Sequence, residues 1–530
     1  MIRIILSLLF VTQTVYADGL LDVLDGKTKS DGLSLEKKSY TFQGLVSRPT
    51  AEQNIFLQFL EKGEVKKALY QWPSAFENSS FASSSTGKAL YGYLLFKNGL
   101  EITGLETLFT AKPKSVNKKL ISLWRGLMQT NESLWTFADL EWNAQWTEIF
   151  GLPAEVTVIS RRFDKELSVS RLESLLRKTT KGTWERSWTE WRFVTNLLFK
   201  GEDVKAAKLL KHLQGIKTNN PISQNLMNLT AARTLYQNGY LTEAIRYYEK
   251  IEKSSDYWFE AQEEKAWSYL RLGQSQNTLA HSMTLMTKDF EADVGPETFY
   301  LASLANLKIC DYMEVSKTLK DFRQRFQRKA QSLIKIKNNE DAESIKRLIT
   351  TLQNGRSRMT ELGASATKLP RHSTRDEALF YMVQREKKLK AEAARASLLY
   401  SQSLSEGTAL VGFQAKMEKF KKFVNNRARN SYTAAVNRVQ KLASEEIEEI
   451  HNVLKKMQIV EAELIQQLAM SERVIEETKD VKSVAKKGTT GSQSSDSLSF
   501  PFQGEIWFDE LSNYKVDVAK GCQSGKGKAL

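Results

Sequence analysis

The stretch AARTLYQNGYLTEAIRYYEKI, Ala231 to Ile251, limits what this chain can fold into more than any other. It sets Ala232, Leu235, Gly239, Ala244, Tyr248 and Ile251 at helical spacings around one central glycine. The next stretch, KAWSYLRLG, repeats Ala266, Tyr269 and Gly273 in step, with the two glycines 34 residues apart. Small residues let two helices cross closely, and the glycine ends the first helix in a left-handed turn without a Cβ penalty. Large residues fill the groove between one hairpin and the next, so such hairpins are stable only when stacked.

Other stretches carry the same pattern. LLFKGEDVKAAKLL supplies Gly201, Ala206 and Leu210; LEKGEVKKALYQW supplies Gly63, Ala68 and Trp72. LYGYLLFKNGLEITGLETL supplies Gly92, Leu95, Gly99, Gly104 and Leu108, with Gly99 lying 36 residues after Gly63. LASLANLKICDYMEVSKTL reads as a decayed copy, with Asp311 in the glycine's place. These residues resemble tetratricopeptide (TPR) repeats over roughly 51–110 and 190–325. With only eight prolines and no alternating strand pattern before the last thirty residues, the expected class is all-α.

The expected architecture is a TPR-like helical-hairpin solenoid, then long coiled-coil-like helices, then a short extended C-terminal tail. From Asp376 the pattern lengthens: Phe413, Met417, Phe420 and Val424 are followed by Ala435, Val439, Leu442, Ile447, Ile450, Leu454, Met457, Leu464 and Leu468. This is a coiled-coil seam or the apolar stripe of a long antiparallel hairpin. A helix of ~60 residues reaches on the order of 90 Å, enough to project as a stalk. Charge runs such as KMEKFKK and EEIEEI read as solvated faces.

The first residues place Arg3 before an apolar run, Ile4 to Val11, and Val15-Tyr16-Ala17 before Asp18, the layout of a secretory signal peptide. The divisions that follow are a signal peptide at 1–17, an extended segment at 18–50, hairpins at 51–112 and a tryptophan-rich section of divergent hairpins at 113–189. Further hairpins are expected at 190–330, the long helices at 331–485, a flexible linker at 486–499 and an aromatic-acidic docking tail at 500–530. No later segment is apolar enough to span a bilayer, so the mature chain is expected to be exported, in the periplasm, without a transmembrane helix.

Motifs that resemble chemistry fail on order or length. RGLMQTNES shares letters with the lytic transglycosylases, but Glu132 and Ser133 follow the Gly-Leu-Met-Gln instead of preceding it. GCQSGKG, Gly521 to Gly527, is one residue short of a phosphate-binding loop and lacks the following Ser/Thr and helix. His212, His281, His372 and His451 stand singly, without the spacing of a zinc site. The expectation is a non-enzyme with no catalytic residue, metal or cofactor. Cys310 reads as a packed thiol and Cys522 as a free one, because nothing in the sequence brings two such distant residues within disulfide reach; the alternative, permitted by an oxidising compartment, is that the two pair and staple the tail to the middle of the chain. Trp124, Trp135, Trp142, Trp146, Trp184, Trp188 and Trp191 read as packing between hairpins, the sharper alternative being an aromatic groove for glycan or peptide.

The formal charge of +15 becomes +14 without residues 1–17, whose only charge is Arg3. That balance favours acidic partners, including anionic lipid surfaces, cell-wall polymers and peptidoglycan, while export argues against nucleic acid. The residues expected to bind a protein partner are Phe500, Phe502, Trp507, Phe508, Asp509, Glu510, Leu511 and Tyr514. FPFQGEIWFDELSNYKVDVAKGC resembles the end of exported TPR proteins of bacterial adventurous gliding motility machinery. That resemblance implies a scaffold mediating protein contacts in an envelope assembly; the alternative is a peptidoglycan-binding or lytic protein using the tryptophan-rich section.

Overall fold

The computed structural model describes residues 48–130, 144–151, 168–218, 220–406 and 410–478, together with 42, 44–46, 155 and 156. The described residues are all-α, with no strand among them. They divide into two compact units. Unit one holds the described residues up to Met227 with Ile345–Arg358 and Ser373–Val439; unit two holds Asn228–Ser344, Met359–His372 and the described residues from Gln440. The expected signal peptide, linker and extended docking tail lie outside the described residues, as do Trp135, Trp142 and Glu132.

The helices are α1 (Ala51–Glu61), α2 (Val65–Phe76), α3 (Ser80–Ser83), α4 (Ser85–Lys97), α5 (Glu101–Phe109), α6 (Lys118–Thr130), α7 (Ala144–Phe150), α8 (Val169–Lys178), α9 (Trp184–Phe199) and α10 (Asp203–Gln214). They continue with α11 (Gln224–Gln237), α12 (Leu241–Tyr248), α13 (Trp258–Arg271), α14 (Ser275–Met286), α15 (Glu297–Lys308), α16 (Tyr312–Lys337), α17 (Ala342–Gln353), α18 (Glu377–Ser405) and α19 (Val411–Thr478). At the start of α1, Thr50 accepts from the Gln53 N–H while the Gln53 side chain accepts from the Thr50 N–H, a reciprocal cap.

One turn geometry recurs between helices. Gly63, Gly99, Gly201, Gly239 and Gly273 all have φ between 73° and 83°. In every case the turn residue donates to the carbonyl three back, and the next residue to the carbonyl five back, as with Gly273 to Leu270 and Gln274 to Tyr269. This is the Schellman closure, which satisfies carbonyls a helix end otherwise strands. Cys310 (φ 57°) and Asn339 (φ 60°) close the α15/α16 and α16/α17 connections with the same bonds. The expected place of Asp311 is therefore corrected by one residue. Cys310 takes the left-handed position, and Asp311 caps α16 by accepting from the Glu314 N–H.

Between α4 and α5 two backbones touch: a Cβ on Gly92 would lie 2.6 Å from the Gly104 carbonyl oxygen, and one on Gly104 2.7 Å from that of Gly92. Ala68, Ala206, Ala232, Ala244 and Ala266 are all buried in the helices that these turns join.

The long helices are not bare. In unit one, Phe413 and Met417 of α19 and Ala396 and Leu399 of α18 join the core of Phe56, Trp72 and Phe76, while Val424 and Ala428 pack with Ile102, Leu389 and Ala393. In unit two, α19 buries Leu442, Ile450, Val453, Met457, Val460 and Leu464. The stripe predicted from sequence is used within the chain, along most of its length, instead of on a projecting stalk.

Candidate functional site

The turn edge and the charged seats of the long helices are where this chain departs from a plain stack of helices. In unit two, α19 inserts Glu446 into its buried stripe, between Leu442 and Ile450. A buried carboxylate must be paired. Glu446 accepts from the Arg371 backbone N–H at 2.9 Å and lies 3.6 Å from Lys329 Nζ, which also donates to the Leu369 carbonyl. One turn on, Glu449 receives the Arg371 guanidinium through both oxygens, at 2.6 and 2.7 Å. Further along, Lys456 Nζ donates to Glu297 at 3.2 Å and lies over the Tyr300 ring, and Arg323 pairs with Glu461.

Arg371 fills space that only a glycine leaves. A Cβ on Gly295 would fall 1.4 Å from an Arg371 terminal nitrogen. Burial pulls against the Arg371 charge, but Glu449, Glu446 and Glu263 outweigh it and raise its pKa. Burial lowers Lys329, with Glu446 opposing. Glu263 of α13, half-buried, accepts from Thr298 Oγ1 at 2.8 Å. Its carboxyl is pushed up to about 8 by burial first and by the nearby Glu297 charge second, with Arg371 and Thr298 pulling the other way.

Unit one seats its long helices in a similar way. Glu392 of α18 accepts from the Ile102 N–H and, at 2.8 Å, from Thr103 Oγ1. It thereby caps α5, whose own N-cap residue, Leu100, makes no side-chain bond. Burial raises the Glu392 carboxyl to about 7, against the hydrogen bonds from Thr103 and Ile102. Arg395 donates to the Asn98 carbonyl at 2.9 Å, covering the C-terminal end of α4, and Arg427 forks onto Glu106.

The repeat residues play structural parts. Tyr248 is buried and its hydroxyl donates to Glu264 at 2.9 Å, while Glu264 also receives Arg233. Tyr269 stacks on His281, whose Nδ1 lies 2.8 Å from Gln262 Oε1 and whose pKa falls to about 3, chiefly through burial and then through Lys265. His212 faces Glu190 and His372 accepts from Arg371. Among the described residues no group of three His, Cys, Asp or Glu side chains converges as a metal site, and no helix is long and apolar enough to cross a membrane.

Trp124, Trp146, Trp188 and Trp191 are buried, the first two donating their indole N–H to the Ala89 and Ala111 carbonyls at 3.0 and 2.8 Å. Trp184 is half-buried. Cys310 is disulfide-bonded, a correction to the expected packed thiol, and Cys522 lies outside the described residues. The eight tail residues expected to bind a partner, Phe500 through Tyr514, also lie outside them. Sequence reading missed Arg371 and Glu263 altogether, and placed Glu446 and Glu449 on a solvated face. The available signal was that Glu446 falls in step with Leu442 and Ile450. Compared with models of known protein families and with curated proteins, the chain matches none.

Proposed function

We propose that this chain is an exported TPR-type scaffold, periplasmic and non-enzymatic, that works through protein contacts in a bacterial envelope assembly of the kind motility uses. The observation that carries this reading is the recurring left-handed turn, at Gly63, Gly99, Gly201, Gly239, Gly273, Cys310 and Asn339, between helices that bury Ala68, Ala206, Ala232, Ala244 and Ala266. Stacked hairpins of this sort present extended surfaces suited to holding other chains. Faces already seated by α18 and α19 are filled by the chain itself, so the partner surface lies elsewhere. The aromatic-acidic tail is the element assigned to it, since Trp and Tyr anchor interfaces.

The peptidoglycan alternative draws on the tryptophan-rich section, and the burial of Trp124, Trp146, Trp188 and Trp191 leaves their rings no open face for a sugar. The test is capture from an envelope extract by the mature protein with and without residues 500–530, together with assay of the purified protein on peptidoglycan. The scaffold reading predicts partners that depend on the tail and no release of muropeptides. Identical partner sets would remove the tail from the interface, and released muropeptides would overturn the non-enzymatic assignment.

A further inference from the structure

The charges that meet where α19 lies within unit two do not balance. Glu297 of α15 takes Lys456, Glu446 takes Lys329 of α16, and Glu449 takes the Arg371 guanidinium, which sets three carboxylates against three cations. Glu263 of α13 is a fourth carboxyl, and among the described residues it forms no ion pair: its partner is the buried Thr298 hydroxyl, at 2.8 Å. We propose that seating α19 in unit two takes up one proton, held by Glu263, so that this seat is a latch that acid closes and alkali loosens.

Every element packed around Glu263 brings charge to it. From α15 come Glu297 and Thr298; from the segment before α18 comes Arg371, with His372 accepting from its Nε. From α19 come Glu449 and, beside Arg371, Glu446, with Lys456 beyond on Glu297. From α16 comes Lys329, facing Glu446 and Arg371, and next to it Arg325, which feels the Glu291 charge. Arg371 is already committed, its Nη2 to both Glu449 oxygens and its Nε to His372. An ionised Glu263 would therefore stand beside Glu297 and Glu449 without a cation of its own, a costly arrangement once water is excluded. With a proton on it, three carboxylates face three cations and the cluster closes. In keeping with that balance, burial first and the Glu297 charge second carry the Glu263 carboxyl up to about 8.

Lifting α19 returns Glu263 to water, where the carboxyl titrates at its ordinary value of 4.5 and gives its proton to solvent. Between 4.5 and about 8 the seated state thus binds more protons than the lifted one. Seating is strongest below 4.5, weakens by up to about tenfold for each pH unit through that window, and levels off above about 8. In mildly acidic surroundings the chain holds α19 tightly, and in mildly alkaline ones loosely.

The latch is independent of the scaffold reading and is tested on the mature full-length chain without a partner. Hydrogen exchange is followed from about pH 5.5 to about pH 8, each rate being divided by the intrinsic rate at that pH. Protection at residues 446–460 is expected to fall by about tenfold or more across that range, while protection in α1 and α2 stays level. Glu263→Gln imitates the protonated carboxyl and keeps an oxygen for Thr298, so it should hold protection at its acid value throughout. Glu297→Gln removes the neighbouring like charge and should make the fall smaller without abolishing it. A level profile in the unsubstituted chain overturns the latch whatever the variants do. So does a fall shared equally by α1 and α2, one that survives intact in Glu263→Gln, or one undiminished in Glu297→Gln.

Discussion

Single positions in this chain are decided by backbone angle and by burial of charge. Gly273 has φ 75° with nothing near its missing Cβ, so alanine there meets no clash and strains only the backbone. Gly273→Ala is expected to cost about 1–2 kcal/mol by chemical denaturation, the range for forcing a side chain into the left-handed region. Burial, and then the nearby Glu297 charge, raise the Glu263 carboxyl from its ordinary value of 4.5 to about 8. The folded state therefore binds more protons than the unfolded one between those values. Its contribution is fully present below pH 4.5 and is lost as pH rises toward 8. Glu263→Gln should match wild-type stability near pH 4.5 and exceed it at pH 9 by on the order of 2 kcal/mol, residual solvent at the half-buried site moderating the full shift. A difference that stays flat across that range in paired denaturation curves would refute the assignment. The glycines were legible because only one residue type suits their angle. Glu263 and Arg371 were not, because their meaning depends on neighbours far along the chain.

At the scale of elements, helix ends and helix faces part company. The three-four spacing of α19 identified most of its buried face in advance, including Phe413, Met417, Val424 and Leu464. It could not say what the face would meet, since apolar periodicity is the same for a coiled coil and for a helix laid on hairpins. Near Ile447 and Leu454, both half-buried, the buried line instead runs through Glu446, Ile450 and Val453, a shift made possible by ion pairing. The cap of α5 by Glu392 was invisible for a similar reason, its donor and acceptor lying about 290 residues apart. Glu392→Ala should destabilise unit one by roughly 1–3 kcal/mol, as expected when buried donors lose their acceptor. Hydrogen exchange at Ile102 and Thr103 should accelerate more than at the far end of α5; uniform change along the helix would argue against a capping role.

For the whole molecule, the charge surplus and the proposed scaffold role make separable demands. Contacts with acidic polymers or anionic lipid rest on screened, long-range attraction, whereas a docked aromatic motif rests on burial. Raising salt from about 0.1 to 1 M shortens the screening length from roughly 10 to 3 Å. Sedimentation with anionic vesicles should then fall by tenfold or more, while tail-dependent partners persist. Loss of both together would mean the tail acts by charge alone.

The recurring turn has a consequence for how such a chain can change over generations. Each hairpin closes with its own left-handed residue and its own pair of backbone bonds, borrowing nothing from a distant segment for that closure. Insertions or deletions of a whole hairpin leave every other closure intact, whereas those of a few residues misplace a turn. Length in this chain is therefore quantised: its descendants and cousins should differ in steps of one hairpin, and the sites where a long helix is seated should be the places where no step is tolerated.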